Sequence, residues 1–293
     1  MKTVQGSLDN SSLIEREASQ ADIILHLAHT KHLKSAEAIN KGLSQRDVSN
    51  PVYWVQMSGA SLLAAGELAS PSFTPGSASS NVYDDIADAA KIRDLIRGTP
   101  TRVVENYVLN VAEGNTGIKT ALIFQPIIYG KGEGPVNQRS IQIPAIAKDT
   151  LQRGKGVRVG ECLSIWGDVH IKDIGKLVSK LAEEATKKQA RDEVWSGQGL
   201  YLTDVGEMTF GDIAQKIVDA AAQQGHIKAD TGVEALVGPD ADSVLLPASS
   251  VLFGSNCRSR ARRAREFLQW EPQGESLVAE IPRAVAEEAA SLK

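Results

Sequence analysis

Residues 52–57 read VYWVQM, a short and mostly apolar run with polar segments on either side. Two further runs are similar: residues 22–28 read DIILHLA, and residues 119–124 read KTALIF. Continuous apolar runs of this length are typical of strands that are buried on both faces of a sheet. The three segments therefore predict the central strands of one buried sheet.

A helix is predicted between the second and the third strand. Residues 102–113 carry valines and a tyrosine at helical spacing, and Gly114 follows as a stop signal. Strand, helix and strand in repeated order imply right-handed crossovers and a parallel sheet. The predicted fold class is α/β, a doubly wound parallel sheet with a smaller C-terminal α/β lobe.

The remaining segments predict further helices and two loops. Thr209 and Asp212 resemble a capping box, which opens a helix that ends at Gly225. The other predictions are helices over residues 173–185, over 258–268 and from Pro282 onward, and loops over 69–80 and 225–247.

Composition excludes several classes of protein. The 293 residues include 32 basic and 36 acidic side chains, a net charge of −4, which argues against general binding to nucleic acid or anionic membranes. Cys162 and Cys257 are too few for a disulfide framework or a cysteine zinc site. No apolar run is long enough to span a bilayer, and the first residues lack the pattern of a signal peptide. A cytoplasmic protein is therefore expected.

Ligands of a parallel sheet bind at the carboxyl ends of its strands, so the residues that follow each strand matter most. These segments are HLAHT (26–30), MSGAS (57–61) and QPIIYGKGEG (125–134), with IWGDVHIKD (165–173) farther on.

The ordered segments HLA, SGAS, QPIIYGKGEG and WGDVHIKDI, followed by an Arg-rich helix that ends in LQWEP, resemble a known family. They are similar to the extended and atypical short-chain dehydrogenase/reductases, and within them to NAD-dependent epimerase/dehydratase-like proteins of fungal type. The resemblance covers nearly the whole chain. It implies a Rossmann-like NAD(P)-binding domain over residues 1–128 plus 161–190, and a substrate-binding lobe over 129–160 plus 191–293.

The resemblance also implies an activity. It predicts an NAD(P)-dependent oxidoreductase or epimerase that acts on a small carbonyl, hydroxyl or nucleotide-sugar substrate, with NADP or NAD as cofactor. The expected partner is a small molecule, and binding to nucleic acid or to a membrane is not expected. A homo-oligomer is possible.

Particular residues receive roles from the same resemblance. Ser58 and Tyr83 are the catalytic candidates, although Ser58 could be an ordinary turn serine and Tyr83, which precedes Asp84 and Asp85, a packing residue. The predicted cofactor contacts are Ser7, Leu8, Leu27, Ala28, His29, Met57, Arg102, Pro126, Ile127 and Ile128. The predicted substrate contacts are Tyr129, Asn137, Ser140, Trp166 and Arg258.

Two elements of the family pattern are missing from this sequence. Residues 1–9 look like the family's third strand, so a chain without the N-terminal βαβ unit and its Gly-rich phosphate-binding turn is expected. No Tyr-x-x-x-Lys pair occurs, and its positions fall near Arg97 and near Thr101 or Arg102. An arginine supplies charge but does not shuttle protons at pH 7. The alternative is therefore a non-catalytic nucleotide-sensing or partner-binding protein, or a fragment unable to bind dinucleotide.

Two clusters allow both a functional and a purely structural interpretation. His26, His29 and His32 lie close together, but no carboxylate or cysteine nearby completes a ligand set, so no metal is predicted. Arg258 shares a helix stripe with other arginines. The resemblance implies that an arginine here grips a substrate diphosphate, whereas the structural alternative is a solvated helix face.

Overall fold

The computed structural model describes residues 2–47, 49–236, 240, 242 and 248–292. The helices are α1 (Ser11–Ala18), α2 (Leu33–Leu43), α3 (Ala65–Leu68), α4 (Ala89–Gly98), α5 (Val103–Gly114), α6 (Gln142–Arg153), α7 (Ile171–Thr186), α8 (Phe210–Gln223), α9 (Ser249–Leu252), α10 (Arg263–Leu268) and α11 (Leu277–Ser291). The strands are β1 (Ile23–His26), β2 (Val52–Gly59), β3 (Tyr83–Asp84), β4 (Ile118–Gln125), β5 (Ile127–Tyr129), β6 (Gly156–Val159), β7 (Ile165–His170), β8 (Leu200–Leu202), β9 (Gly206–Thr209), β10 (Val233–Leu236) and β11 (Ser259–Arg260).

The main sheet contains β1, β2, β4 and β8 in that order, and all of its pairs are parallel. Tyr53 and Trp54 of β2 are both buried, although successive residues of a strand point to opposite faces. Helices α7 and α5 contact β2 and β4, respectively. The structure therefore confirms the Rossmann-like α/β fold with a covered parallel sheet, and each of the three predicted strands lies in it.

Three smaller sheets complete the fold. They are β5-β7-β9, the parallel pair β6-β10 and the parallel pair β3-β11. Helices α6, α8 and α11 pack against one another, and α6 and α8 contact β6. Strand β8, which the resemblance assigns to the smaller lobe, pairs with β4 of the main sheet. The division of the chain into two lobes stays a prediction.

Two predictions about the later helices are wrong. The predicted basic helix over 258–268 begins only at Arg263, because Arg258 and Arg260 belong to a backbone ladder with β3, in which Tyr83 donates its N–H to the Arg258 carbonyl. The last helix begins at Leu277 rather than at Pro282, because the Ser276 side chain accepts the N–H of Ala279 and caps it there.

Two predicted segments differ from the structure in other ways. Residues 2–9 form no strand, since none of the described strands lies beside them to complete a ladder. Within the predicted loop over 225–247, β10 pairs with β6, whereas residues 237–239, 241 and 243–247 lie outside the described part of the chain. The predicted loop over 69–80 contains no helix or strand.

Helix α8 begins at the predicted capping box. The Thr209 hydroxyl accepts the Asp212 N–H at 2.9 Å and donates to the Asp212 carboxylate at 2.8 Å. Across the described residues, no helix is both long enough and apolar enough to cross a membrane.

The cap gives a test of the fold. Thr209→Ala removes an acceptor for a helix N–H and is expected to lower the free energy of unfolding by about 1 kcal/mol, measured by urea denaturation. Thr116→Ala in an exposed turn is the control and should stay within about 0.5 kcal/mol of the unmodified chain. Equal values for the two variants would show that this cap does not stabilise α8.

Candidate functional site

The carboxyl ends of the central strands lie side by side. Gly59 at the end of β2 is opposite Gln125 at the end of β4, and His26 at the end of β1 is opposite Gln56. His26 is buried and bonds Gln56 through Nδ1 at 2.8 Å and Ser35 through Nε2 at 3.0 Å. Burial lowers the pKa of His26, so this ring is a neutral link between β1, β2 and α2.

Ser58 lies near the carboxyl end of β2 and contacts a carboxylate. Its side chain is fully buried on β2. The Ser58 hydroxyl donates to Glu105 Oε1 at 2.6 Å, and Glu105, in the first turn of α5, is only 3% exposed. The single hydroxyl proton of Ser58 is thus committed to the carboxylate.

Arg102 extends this contact toward the surface. Its guanidinium donates to Glu105 Oε1 at 3.3 Å, to the Gly59 carbonyl at 3.4 Å and to Ser61 Oγ at 2.9 Å. We call Ser58, Glu105, Arg102 and Ser61 the serine–carboxylate network. Because Ser61 Oγ accepts from Arg102, the proton of the Ser61 hydroxyl is available for another oxygen.

The sequence analysis misses Glu105 and Ser61. Ser61 belongs to the quoted segment MSGAS, and Glu105 follows Arg102 at a spacing that places both on one helix face. The valines of residues 102–113 define the apolar face, but the sequence does not show that Glu105 points at β2.

Tyr83, the second catalytic candidate, lies in β3 and is 6% exposed. Burial, and then the charges of Asp88 and Glu67, raise the pKa of its phenol. Lys91 Nζ lies 4.4 Å from the centre of the ring. The phenol therefore stays protonated at neutral pH.

A cavity of about 350 Å³ opens beyond β4. Four predicted site residues line it: Pro126, Ile128, Asn137 and Ser140. The other lining residues are Gly130, Gly132, Gln138, Arg139, Ile141, Gln142 and Ile171. This carboxyl-edge cavity therefore brings two predicted cofactor contacts and two predicted substrate contacts together.

Two other predicted contacts, Trp166 and Tyr129, form hydrogen bonds within the core. Trp166 is buried, donates to the Ser255 carbonyl at 2.7 Å and packs against Phe210. Tyr129 is buried and donates to the Glu275 carbonyl at 2.7 Å, and burial raises the pKa of its phenol.

The remaining predicted cofactor contacts differ in exposure. Met57 and Ile127 are buried, Leu8 is half-buried, and the exposed members are Ser7, Leu27, Ala28 and His29. Among the described residues, no cluster of His, Cys, Asp and Glu could hold a metal ion.

Arg258 lines a second cavity, of about 440 Å³, with Arg260, Arg262, Arg265 and the buried Asp204. Arg258 itself pairs with Glu207 at 2.8 Å. We call this space the arginine cavity.

Two buried carboxyls lie beside the arginine cavity. Burial raises the pKa of Asp204 to about 7 and that of Asp168 to about 6. Asp204 Oδ2 accepts from the Ser259 hydroxyl at 2.5 Å, whereas Oδ1 has no partner in the described part of the chain.

These pKa shifts predict a pH dependence of stability. A raised pKa in the folded state means that the native protein binds the Asp204 proton more tightly than the unfolded chain, so its contribution to stability falls as pH rises from about 4 to about 7. Asp204→Asn should remove this loss of stability with rising pH. The difference in unfolding free energy between variant and unmodified chain is therefore expected to shift in favour of the variant between pH 4.5 and pH 7.5.

Urea denaturation at both pH values measures the difference. Asp94→Asn, at an exposed site on α4, is the control. If the two variants show the same change with pH, Asp204 is not responsible.

The serine–carboxylate network gives a third prediction. Glu105→Gln leaves the Arg102 guanidinium without its carboxylate and should lower the free energy of unfolding by about 2 kcal/mol. Glu113→Gln on the same helix breaks an exposed pair with Arg97 and should cost less than about 1 kcal/mol. Similar losses in the two urea denaturation curves would contradict a stabilising role for the buried pair.

Comparison with known proteins places this geometry in context. Oxidase ucsJ from Acremonium sp. is 31% identical over 299 residues, which cover 100% of this chain and 85% of that protein. No protein-family model matches the chain.

Solved structures share the fold. A dTDP-glucose 4,6-dehydratase from Bacillus anthracis, in complex with NAD, is 14% identical with a TM-score of 0.65 over 99% of this chain and 82% of that one. A UDP-glucuronic acid 4-epimerase from Bacillus cereus, in complex with UDP-glucuronic acid and NAD, is 13% identical with a TM-score of 0.62 over 99% and 82% of the two chains.

Proposed function

We propose that this chain, which belongs to the same protein family as oxidase ucsJ, is an NAD(P)-dependent oxidoreductase that interconverts a hydroxyl and a carbonyl group of a small molecule. The observation that carries the proposal is the carboxyl-edge cavity, which four of the predicted contact residues line. It opens at the edge of a Rossmann-like sheet, beside strand ends that hold the serine–carboxylate network. Ligands of such sheets bind at this edge.

The residues at this edge fit the nicotinamide end of a dinucleotide. Pro126 and Ile128 offer apolar surface for a flat ring, and Asn137 and Ser140 offer polar groups for a substrate beside that ring. A nicotinamide dinucleotide, when bound, supplies the two-electron redox step. The Gly-rich stretch that follows β5, from Gly130 to Gly134, is separated from the start of α6 by residues 135–141, so it is no tight turn into a helix N-terminus and the proposal assigns no residue to the pyrophosphate. The choice between NAD and NADP stays open.

The serine–carboxylate network would act on the reacting oxygen of the substrate. Ser61, which is partly exposed, would donate its free proton to that oxygen, and Arg102 would stabilise negative charge on it. An arginine does not release its proton at neutral pH, so the proton exchanged with the substrate is that of Ser61, replaced from solvent.

Ser58 and Glu105 are positioning residues in this proposal. Both are buried, and together with the Gly59 carbonyl they fix the Arg102 guanidinium. Tyr83 receives no part in proton transfer, because burial keeps its phenol protonated.

A second candidate is a non-catalytic protein that binds a nucleotide or a partner. Two observations favour it: the sequence contains no Tyr-x-x-x-Lys pair, and both catalytic candidates of the sequence analysis, Ser58 and Tyr83, are buried. Cofactor binding and turnover separate the two candidates.

Titration with NADH and with NADPH, followed by nicotinamide fluorescence, tests the oxidoreductase proposal. We expect saturable binding of one of them below about 1 mM. Arg102→Met should weaken this binding about tenfold, because a charged hydrogen-bonding group is lost at the edge. Arg153→Met, at the far end of α6, is the control.

Two results would contradict these expectations. If neither dinucleotide saturates the protein, the oxidoreductase proposal fails and the non-catalytic candidate is favoured. If Arg102→Met and Arg153→Met bind alike, the dinucleotide does not contact the network.

A further inference from the structure

The one charged side chain in the described lining of the carboxyl-edge cavity is paired with a carboxylate. That side chain is Arg139, whose Nε donates to Glu288 Oε1 at 2.6 Å. Glu288 is buried on α11, and this contact raises the pKa of Arg139. The two charges therefore cancel at the cavity wall. A diphosphate brings two negative charges, which proteins usually meet with unpaired cations or with helix N-termini.

Most polar side chains of the lining are already engaged. Gln138 and Gln142 donate their side-chain amides to backbone carbonyls at 2.8 and 3.5 Å, and Asn137 Oδ1 accepts a backbone N–H at 3.1 Å. The side-chain donors of the lining with no partner in the described part of the chain are the Ser140 hydroxyl, the amide NH₂ of Asn137 and the two terminal nitrogens of Arg139. Ser140 and Asn137, both uncharged, suffice for one carbonyl or hydroxyl oxygen of a ligand.

The mouth of the cavity is apolar and exposed. Ile141, in the lining, is 65% exposed, and Val136, next to the lining residue Asn137, is 91% exposed. An exposed isoleucine and valine at a cavity mouth gain free energy when an apolar ligand covers them. The volume of about 350 Å³ lies at the small end of the range for small-molecule sites, about 300–1,000 Å³.

From this lining we infer that the substrate is an uncharged, mainly apolar small molecule with one reacting carbonyl or hydroxyl group, and not a nucleotide sugar. The inference rests on the proposed function, which assigns Asn137 and Ser140 of this cavity to the substrate. It separates the chain from the dehydratase and epimerase that share its fold, which carry nucleotide sugars in their names. The Ser140 hydroxyl and the Asn137 amide would bind a polar group of the substrate, and Ile141 and Val136 would cover its apolar body.

An environment-sensitive ketone tests the inference without turnover. The probe is 6-propionyl-2-dimethylaminonaphthalene, whose emission moves to shorter wavelength in an apolar site. We expect saturable binding to the full chain with such a shift, and no displacement by UDP-glucose or dTDP-glucose at about 1 mM.

Substitutions locate the probe. Ile141→Asp should weaken its binding about tenfold, because the mouth loses apolar surface and gains a negative charge. Val136→Asp is a second variant at a site too exposed to affect folding, with the same expected direction. Val278→Asp is the matched control, since Val278 is also an exposed apolar residue, 48% accessible, but lies on α11 outside the cavity lining.

Two results overturn the inference. One is displacement of the ketone by either nucleotide sugar. The other is equal binding by the Ile141→Asp, Val136→Asp and Val278→Asp variants. The NADH titration distinguishes a failure of this inference from a failure of the proposed function. NADH binding without ketone binding overturns the substrate class alone, and ketone binding without binding of either dinucleotide overturns the oxidoreductase alone.

Discussion

The parallel ladder between β2 and β4 is the constraint on which the rest of the structure depends. Eight residues of β2, from Val52 to Gly59, are paired with eight of β4, from Ile118 to Gln125. This register places the end of β2 beside the residues that lead into the cavity lining. Because the side chains of β2 are buried on both faces, a shift of one residue would exchange its two sets of packed side chains. The position of the candidate site therefore follows from the packing of the sheet.

The sequence predicts the parts of this fold that depend on local pattern. The three strands, the helix around residues 103–114 and the capping box at Thr209 are all recognisable from apolar spacing and from cap residues. The segment around Arg258 is different, because its arginines favour a helix while a two-residue ladder with Tyr83 and Asp84 holds the backbone extended. That ladder joins residues more than 170 positions apart, and no local pattern reports it. The start of the last helix is mispredicted because Ser276 caps the helix before Pro282, and the helix contains this proline in its interior.

Some residues of the candidate site can likewise be predicted from the local sequence, and others cannot. Pro126, Ile128, Asn137 and Ser140 lie within one stretch of chain, so the sequence could group them, and the structure gives them one cavity. Glu105 could not be found, since its role depends on which face of α5 meets β2. Trp166 and Tyr129, expected at the cavity wall, instead bond to backbone carbonyls in the core. Large aromatic side chains in an apolar segment gain more from burial than from exposure, and a sequence does not say which of them face a ligand.

The pair between Arg139 and Glu288 has a consequence for how the molecule is assembled. The two residues are 149 positions apart, and Glu288 lies in the final turns of the last helix. Closing so long a loop costs entropy that only a nearly finished native state repays. The ion pair that holds Arg139 at the cavity wall therefore forms only after residue 288 has been synthesised and α11 has packed against α6.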